Sequence, residues 1–309
     1  MKIIVTGGLG HIGSHLIRNL SEEFKQAKII IIDNLMTQRY CSLFNLKNKE
    51  RYFFIKADVI KDNLEFHFKD TDYVVHLAAI TDAANSFNNA EEVEMNNYEA
   101  TKKVANYCSK YGCKLVTLSS TSVYGTNDQL VDENAKNSDL KPQSPYAKTK
   151  LKEESFILNN CKKNNLKGTI FRFGTIFGTS PGIRFHTAVN KFCLQAAWDE
   201  PLTIWKTAYY QVRPYLDIDD ASRAIIHLIK ENIFNGDIFN ILTFNASVSQ
   251  IVEEIRKYKN VEIKKVDSKI MNQLSYEVST EKFIKTGFKY TGSLEKGIKN
   301  TMKLLGVIS

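Results

Sequence analysis

The sequence predicts an α/β protein: a doubly wound parallel sheet with a smaller mixed α/β lobe towards the C-terminus. Three observations carry that prediction. Short apolar runs alternate with helical patterns through the first two thirds of the chain. The runs are rich in β-branched residues without in/out alternation, and a glycine-rich turn closes the first of them. A strand buried on both faces reads as such a continuous run, and alternating strands and helices imply right-handed crossovers.

In order, the strand candidates are "KIIVT" at 2–6, "KIIIID" at 28–33, "RYFFIKAD" at 51–58, "DYVVHLAA" at 72–79, "CKLVTLSS" at 113–120 and "KGTIFRFG" at 167–174. All six are expected to be buried on both faces. Between them, segments 90–111 and 146–163 repeat apolar residues at helical spacing. After about residue 175 the rhythm breaks into mixed helices and short strands, punctuated by "SPG", "DEP" and "NG". The division this suggests is a sheet domain over 1–175 and a lobe made mainly of 176–309. Residues 213–242 are expected to return to the first domain. A chain of 309 residues buries a core large enough for either one large domain or two unequal ones.

Composition narrows the class. Apolar content of 43% and charged content of 25% are those of an ordinary globular protein. The net charge of +8 raises nucleic acid as a partner, but the excess is lysine scattered in pieces such as "KKNNLK". With no basic block and no aromatic-interleaved stripe, a solvated surface is the better reading, and no nucleic-acid partner is expected. The five cysteines (41, 108, 113, 161 and 193) lack metal-site spacing, which argues for a reducing compartment without disulfide or metal. Only Met-Lys precedes "IIVTGG", and no apolar run approaches the roughly 18 residues that span a bilayer. A cytoplasmic protein away from membranes is therefore expected.

"VTGGLGHIG" satisfies Gly-x-Gly-x-x-Gly through Gly8, Gly10 and Gly13, and Gly-x-x-Gly-x-x-Gly from Gly7. Such a turn lets the backbone approach a pyrophosphate and aims a helix N-terminus at it, as in Rossmann-type sheets. The second strand ends in Asp33, where a carboxylate takes both ribose hydroxyls and repels a 2′-phosphate, so NAD is favoured over NADP. Arg39 nearby is the counter-argument. Asp58 ends the third strand, near the adenine.

"SPYAKTK" contains Tyr146 and Lys150, four residues apart and therefore on one helix face. A free phenol titrates near pH 10, too high for a base at neutral pH. The ammonium and the positive nicotinamide of bound NAD are expected to lower it, so that Tyr146 removes a hydroxyl proton as a hydride passes to the cofactor.

With these features on one chain, the sequence resembles the extended short-chain dehydrogenase/reductase family, in its nucleotide-sugar epimerase/dehydratase branch. The segments "TGGLGHIG", "DNL" at 33–35, "ADV" at 57–59, "HLAA" at 76–79, "NYEAT" at 97–101, "SSTSVYG" at 119–125, "YAKTK" and "RPYLDIDD" at 213–220 fall in family order. The resemblance implies that Ser120, Tyr146 and Lys150 are catalytic. It implies NAD contacts from Gly7, Gly10, His11, Ile12 and Gly13, from Asp33, Asn34, Asp58 and Val59, and from Leu77, Ala78 and Ala79. It counts Asn97, Tyr146 and Lys150 among the cofactor contacts too, with Lys150 reaching the nicotinamide ribose and Asn97 supporting the lysine and the site geometry. On the substrate side it implies Thr121, Thr175 and Arg213, the last against a nucleotide diphosphate. Arg184 and Lys191 are expected to join them, because 179–192 should line the cleft, and Trp205 is expected to stack on a base or sugar. His76 and His186 are read as structural, and no metal is expected.

Two departures bear on the reaction. Dehydrating members carry Asp-Glu after the Ser120 position, where this chain has Thr121 and Ser122. Hydroxyls do not exchange protons near neutral pH, so loss of water is disfavoured. Thr175 replaces an asparagine found in many epimerases. The resemblance thus implies oxidation at C4 of a nucleoside-diphosphate sugar, most often by a 4-epimerase. A net C4 dehydrogenase in surface-polysaccharide synthesis and a non-catalytic NAD-binding sensor are the alternatives. It also implies a homodimer through the helices at 90–111 and 146–163.

Overall fold

The computed structural model describes residues 1–81, 85–125, 130–136, 138–267 and 275–309. Strand β1 (Lys2–Thr6) leads into helix α1 (His11–Glu23), then β2 (Lys28–Asp33), β3 (Tyr52–Lys56), the single turn α2 (Glu65–Phe68) and β4 (Tyr73–His76). Helix α3 (Ala90–Tyr111) is followed by β5 (Lys114–Ser120), the short β6 (Leu130–Val131), α4 (Pro145–Lys163) and β7 (Gly168–Phe173). The remainder comprises β8 (Thr175–Phe177), α5 (Ala188–Ala197), β9 (Leu202–Trp205), β10 (Val212–Asp217), α6 (Ile218–Glu231) and β11 (Ile238–Ile241). It ends with β12 (Phe244–Ser247), α7 (Val248–Arg256), β13 (Ile263–Val266), β14 (Glu277–Val278), α8 (Glu281–Ile284) and α9 (Leu294–Leu304).

Seven strands form one parallel sheet in the order β11-β7-β5-β4-β1-β2-β3. The order reverses between β1 and β4, and open α/β sheets bind ligands outside the carboxyl ends of the strands at such a switch point. Successive side chains of β1 serve opposite faces. Ile3 and Val5 pack with Leu16, Ile17 and Ile225 of α1 and α6, whereas Ile4 packs with Val104 and Ile157 of α3 and α4. Helices on both sides are what allows strands without alternation.

One strand departs from the expected two-sided burial. β3 lies at the sheet edge, and Phe53 and Phe54 are 44% and 37% exposed. An edge strand has a neighbour on one side only, so its apolar run is not a sign of full burial.

The stretch 213–242 divides. α6 packs against α1 and β11 completes the seven-stranded sheet, but β10 pairs with β8 and β12 in a separate three-stranded sheet. That sheet, with α5, α7 and α9, encloses a second core around Phe177, Ile251 and Met302. Cys108 and Cys113 are buried at the end of α3, where Gly112 takes φ +71 and lets the Cys113 N–H reach the Cys108 carbonyl at 3.0 Å. No helix among the described residues is long and apolar enough to cross a membrane.

Candidate active site

A cleft of about 790 Å³ runs along the carboxyl ends of the central strands and on to the second core. Its dinucleotide half starts at the turn after β1. Gly7 sits at φ +64, and a Cβ there would lie 2.7 Å from the Ala78 backbone nitrogen. A Cβ on Gly13 would lie 2.6 Å from the Gly7 carbonyl oxygen. Only glycine permits this crossing of turn, helix and loop. Gly10 is the N-cap of helix α1, which has no side-chain cap and no acidic residue in its first turn, leaving its N–H groups and positive dipole end to an anion.

Asp33 accepts the Leu9 N–H at 3.1 Å on one oxygen and the Leu35 N–H at 2.9 Å on the other. Each oxygen keeps a further lone pair for a ribose hydroxyl. Asp58 accepts the Asn34 amide and the Ile60 and Lys61 N–H groups. Burial works against its charge, but these donors outweigh it and hold the carboxyl below its usual range. His11, Ile12, Asn34, Val59, Leu77, Ala78 and Ala79 also line this half.

His11 is the most telling member. Its ring is buried, and Nδ1 accepts the Arg184 backbone N–H at 3.0 Å, so the neutral ring carries its proton on Nε2. Nε2 has no partner among the described residues. Burial, with Arg184 and Arg39 adding to it, pushes the imidazole down to about 3. A buried neutral donor left without an acceptor in the cleft wall fits a bound polar ligand such as the cofactor diphosphate. Asn97 differs from the expected cofactor contacts. It is buried outside the cleft lining, accepting the Ile80 N–H at 2.7 Å and donating to the Ile80 carbonyl at 2.8 Å. It fixes the loop after β4 and makes no bond to Lys150.

The three residues expected to be catalytic come together where β5 ends beside the start of α4. Ser144 caps α4 by accepting the Ala147 N–H at 3.1 Å, and Pro145 opens its first turn, so Tyr146 is presented at the helix mouth. Ser120, at the tip of β5, accepts the Ser122 N–H at 3.2 Å and its hydroxyl at 2.8 Å. Ser120, Thr121, Tyr146 and Lys150 all line the cleft. The Lys150 ammonium lies 5.8 Å from the Tyr146 ring centre.

Within the protein, burial outweighs the expected downward pull of Lys150 on the phenol. Burial pushes Tyr146 up and Glu153 adds to it, against the opposing pull of Lys150 and Arg184. For Lys150, burial works downward, but Glu153, Tyr146 and Glu154 together hold the ammonium above its ordinary value. Glu153 was not anticipated as part of the site. It accepts from Lys150 at 3.0 Å with both side chains 6% exposed.

Behind the centre, Arg172 of β7 forks onto Glu154 at 2.9 and 2.7 Å, and Ser119 donates to the same carboxylate. Arg172 also donates to Tyr124 at 3.0 Å, and Tyr124 to Asn240 at 2.9 Å. This buried chain ties β5, α4, β7 and β11 together. His76 is held at 2.7 Å by Thr6, and burial, then Lys150, push it down to about 3, so it is neutral.

The other half of the cleft is lined by Thr175, Arg184, Lys191, Trp205 and Arg213, with His186 among them. Thr121 turns its hydroxyl to the Phe173 carbonyl at 3.3 Å. Arg213 stacks 5.2 Å above the ring of Tyr276, whose hydroxyl donates to the Thr121 carbonyl at 3.1 Å. Tyr276 was missed in the sequence because no motif marks it. Residues 181–184 strap the two halves together: the Gly182 N–H reaches Ser14 at 2.9 Å, and a Cβ on Gly182 would lie 2.4 Å from the Leu9 carbonyl oxygen.

Fold and cleft together define an NAD-dependent enzyme of the extended short-chain dehydrogenase/reductase type. Residues 3–241 match the NAD dependent epimerase/dehydratase family, and the chain belongs to that family. Among solved structures, a UDP-glucuronic acid 4-epimerase from Bacillus cereus, in complex with UDP-glucuronic acid and NAD, is 26% identical with a TM-score of 0.91 over 99% of each chain. A UDP-N-acetylglucosamine 4-epimerase from Methanobrevibacter ruminantium, in complex with UDP-N-acetylmuramic acid, is 26% identical with a TM-score of 0.86 over 98% of this chain and 97% of that one. A trifunctional UDP-glucose 4,6-dehydratase/UDP-4-keto-6-deoxy-D-glucose 3,5-epimerase/UDP-4-keto-L-rhamnose-reductase of Arabidopsis thaliana is 30% identical over 97% of this chain. The chain spans about half of that relative, 46% of its length.

Proposed function

We propose that this protein oxidises C4 of a UDP-linked sugar and returns the hydrogen to the opposite face, acting as a nucleotide-sugar 4-epimerase. The observation that carries the reading is the meeting of Ser120, Tyr146 and Lys150 in one cleft with a dinucleotide turn, while Thr121 and Ser122 stand where dehydration needs an acid and a base. NAD, when bound, supplies the hydride acceptor and a positive ring near the phenol. Gly7, Gly10 and Gly13 bring the backbone close to its diphosphate, and Asp33 takes the ribose. Ser120 holds the sugar hydroxyl, Tyr146 removes its proton, and the Lys150 ammonium stabilises the phenolate that carries the negative charge. Arg213 and Arg184 face the sugar diphosphate, where charge-assisted bonds are strong.

Dehydration is one of the three activities in the name of the Arabidopsis relative, but neither hydroxyl after Ser120 can serve as its acid or base, and Thr121 is committed to the Phe173 carbonyl. The test is incubation of the purified protein with UDP-glucuronic acid, UDP-N-acetylglucosamine and UDP-glucose. Conversion to the C4 epimer without net NADH is expected. A stable rise in NADH absorbance, stoichiometric with substrate, would instead make the protein a net C4 dehydrogenase. Tyr146→Phe is expected to lower turnover by about 10²–10⁴-fold, and unchanged turnover would refute the assignment of the base.

A homodimer through α3 and α4 goes with this reading. On these helices Met95 is 66% exposed, while Lys152 pairs with Glu94 and lies 4.1 Å over the Tyr98 ring. Light scattering should give twice the mass of the chain at micromolar concentration; a monomer would rule the dimer out. Free cysteines, including the buried Cys108 and Cys113, suit a reducing, cytoplasmic compartment.

A further inference from the structure

Lys150 has a buried counter-ion that the reaction as described does not use. Residues three apart on a helix are neighbours, so Lys150 and Glu153 of α4 share a face. Lys150 donates to Glu153 Oε2 at 3.0 Å, and Thr101 of α3 donates to the same oxygen at 2.9 Å. Glu153 Oε1 is buried with no partner among the described residues. Burying a carboxylate with half its acceptors unused costs stability, and an apolar side chain between α3 and α4 would avoid that cost. Nor is Glu153 there to balance Arg172, because the adjacent Glu154 already does so at 2.7 Å. The charged and titratable groups around the pair are Tyr146 and Glu154 on α4, neutral His76 on β4, Arg172 on β7 and Arg184 in the strap. Glu153, not the neighbouring Glu154, is the carboxylate bonded to Lys150.

Resting on the assignment of Tyr146 as the base, we propose that Glu153 is a positioning residue for the chemistry. It anchors the Lys150 ammonium in the cleft wall and balances its charge, so that the ammonium stays in place and stays charged whether the neighbouring group is a phenol or a phenolate. Burial alone works to neutralise Lys150, and Glu153 opposes that. The same negative charge adds to the burial that keeps Tyr146 protonated in the resting protein. Glu153 therefore acts on both groups in one direction, and its removal should make both more acidic. Because the two are coupled, the limbs of a pH profile belong to the pair.

The experiment is Glu153→Gln in the purified full chain, which keeps an acceptor for Thr101 and removes the charge. With whichever of the three UDP-sugars is turned over, both limbs of the kcat/KM profile are expected to move to lower pH by about one unit. Ultraviolet titration of tyrosinate in the substrate-free protein should show the same shift, isolated by subtracting the Tyr146→Phe background. Glu153→Asp retains the charge and should return both limbs to within a few tenths of a unit of their native positions. It also decides the matter if Glu153→Gln folds poorly by circular dichroism, because displaced limbs with the charge retained would contradict the proposal. A uniform fall in rate in Glu153→Gln, with limbs and tyrosinate titration unmoved, would reduce Glu153 to a structural residue and overturn the proposal. Full turnover by Tyr146→Phe would refute the base instead, and the tyrosinate titration would still decide the role of Glu153.

Discussion

Ser120, Tyr146 and Lys150, the proposed catalytic residues, are held in place by residues with no part in the proposed reaction. The Arg172–Glu154 pair is 3% exposed on each side, and it fixes the end of β7 against α4, whose first turn carries Tyr146. Removing one charge from such a pair strands the other in a medium that cannot solvate it. Glu154→Gln is therefore expected to destabilise the protein by about 3–5 kcal/mol, read as a lower urea midpoint. A change under 1 kcal/mol would mean that water reaches Arg172. Tyr146 and Lys150 were legible in the sequence because a four-residue spacing on a helix has few alternatives beside a dinucleotide turn. Glu153 and Glu154 were not, because two acidic residues in "KLKEE" read equally well as a solvated face. Only the packing of α3 and β7 against them shows otherwise.

The elements repeat that contrast. The strands of the seven-stranded sheet were readable as apolar runs, because helices cover both faces of all but the edge. β8, β10 and β12 are 3, 6 and 4 residues long, and one of them contains Pro214, so their pairing could not be read from periodicity. The exposed β3 shows the opposite error, in which a correct strand was given too much burial. The strap over α1 carries its own prediction. In Gly182→Ala the new methyl meets backbone carbonyls of Leu9 and Gly10 at 2.4 and 2.7 Å, neither of which can turn aside. The strap must lift, taking with it the bonds to Ser14 and His11. NAD should dissociate faster and KM for the nucleotide sugar should rise together, by about tenfold each for the loss of one to two hydrogen bonds. A change in one without the other would show that the two halves of the cleft are independent.

Over the whole molecule, acid stability is set by a few buried groups. His11 and His76 are each pushed down to about 3 in the folded protein, against 6.5 for a free imidazole. Below pH 6.5 the unfolded chain takes the protons first, so the stability these residues allow at neutral pH is lost as pH falls from there towards 3. The loss is about 2 kcal/mol for each at pH 5. Asp217 works the other way. Burial pushes it up to about 6 from 3.8, so the folded protein takes that proton first and recovers about 1 kcal/mol between pH 7 and 5. The urea midpoint should therefore be lower at pH 5 than at pH 7, and a flat profile would show that one of the imidazoles is charged in the folded state. The strap also sets an order of assembly. The partner of Ser14 at the cofactor turn is Gly182, which lies 168 residues further along the chain. As the chain leaves the ribosome, the dinucleotide turn can form early, but its rim cannot be completed until residue 184 has emerged. A nascent chain halted before that point has the turn but lacks the Gly182 and Arg184 N–H groups that Ser14 and His11 accept in the finished fold.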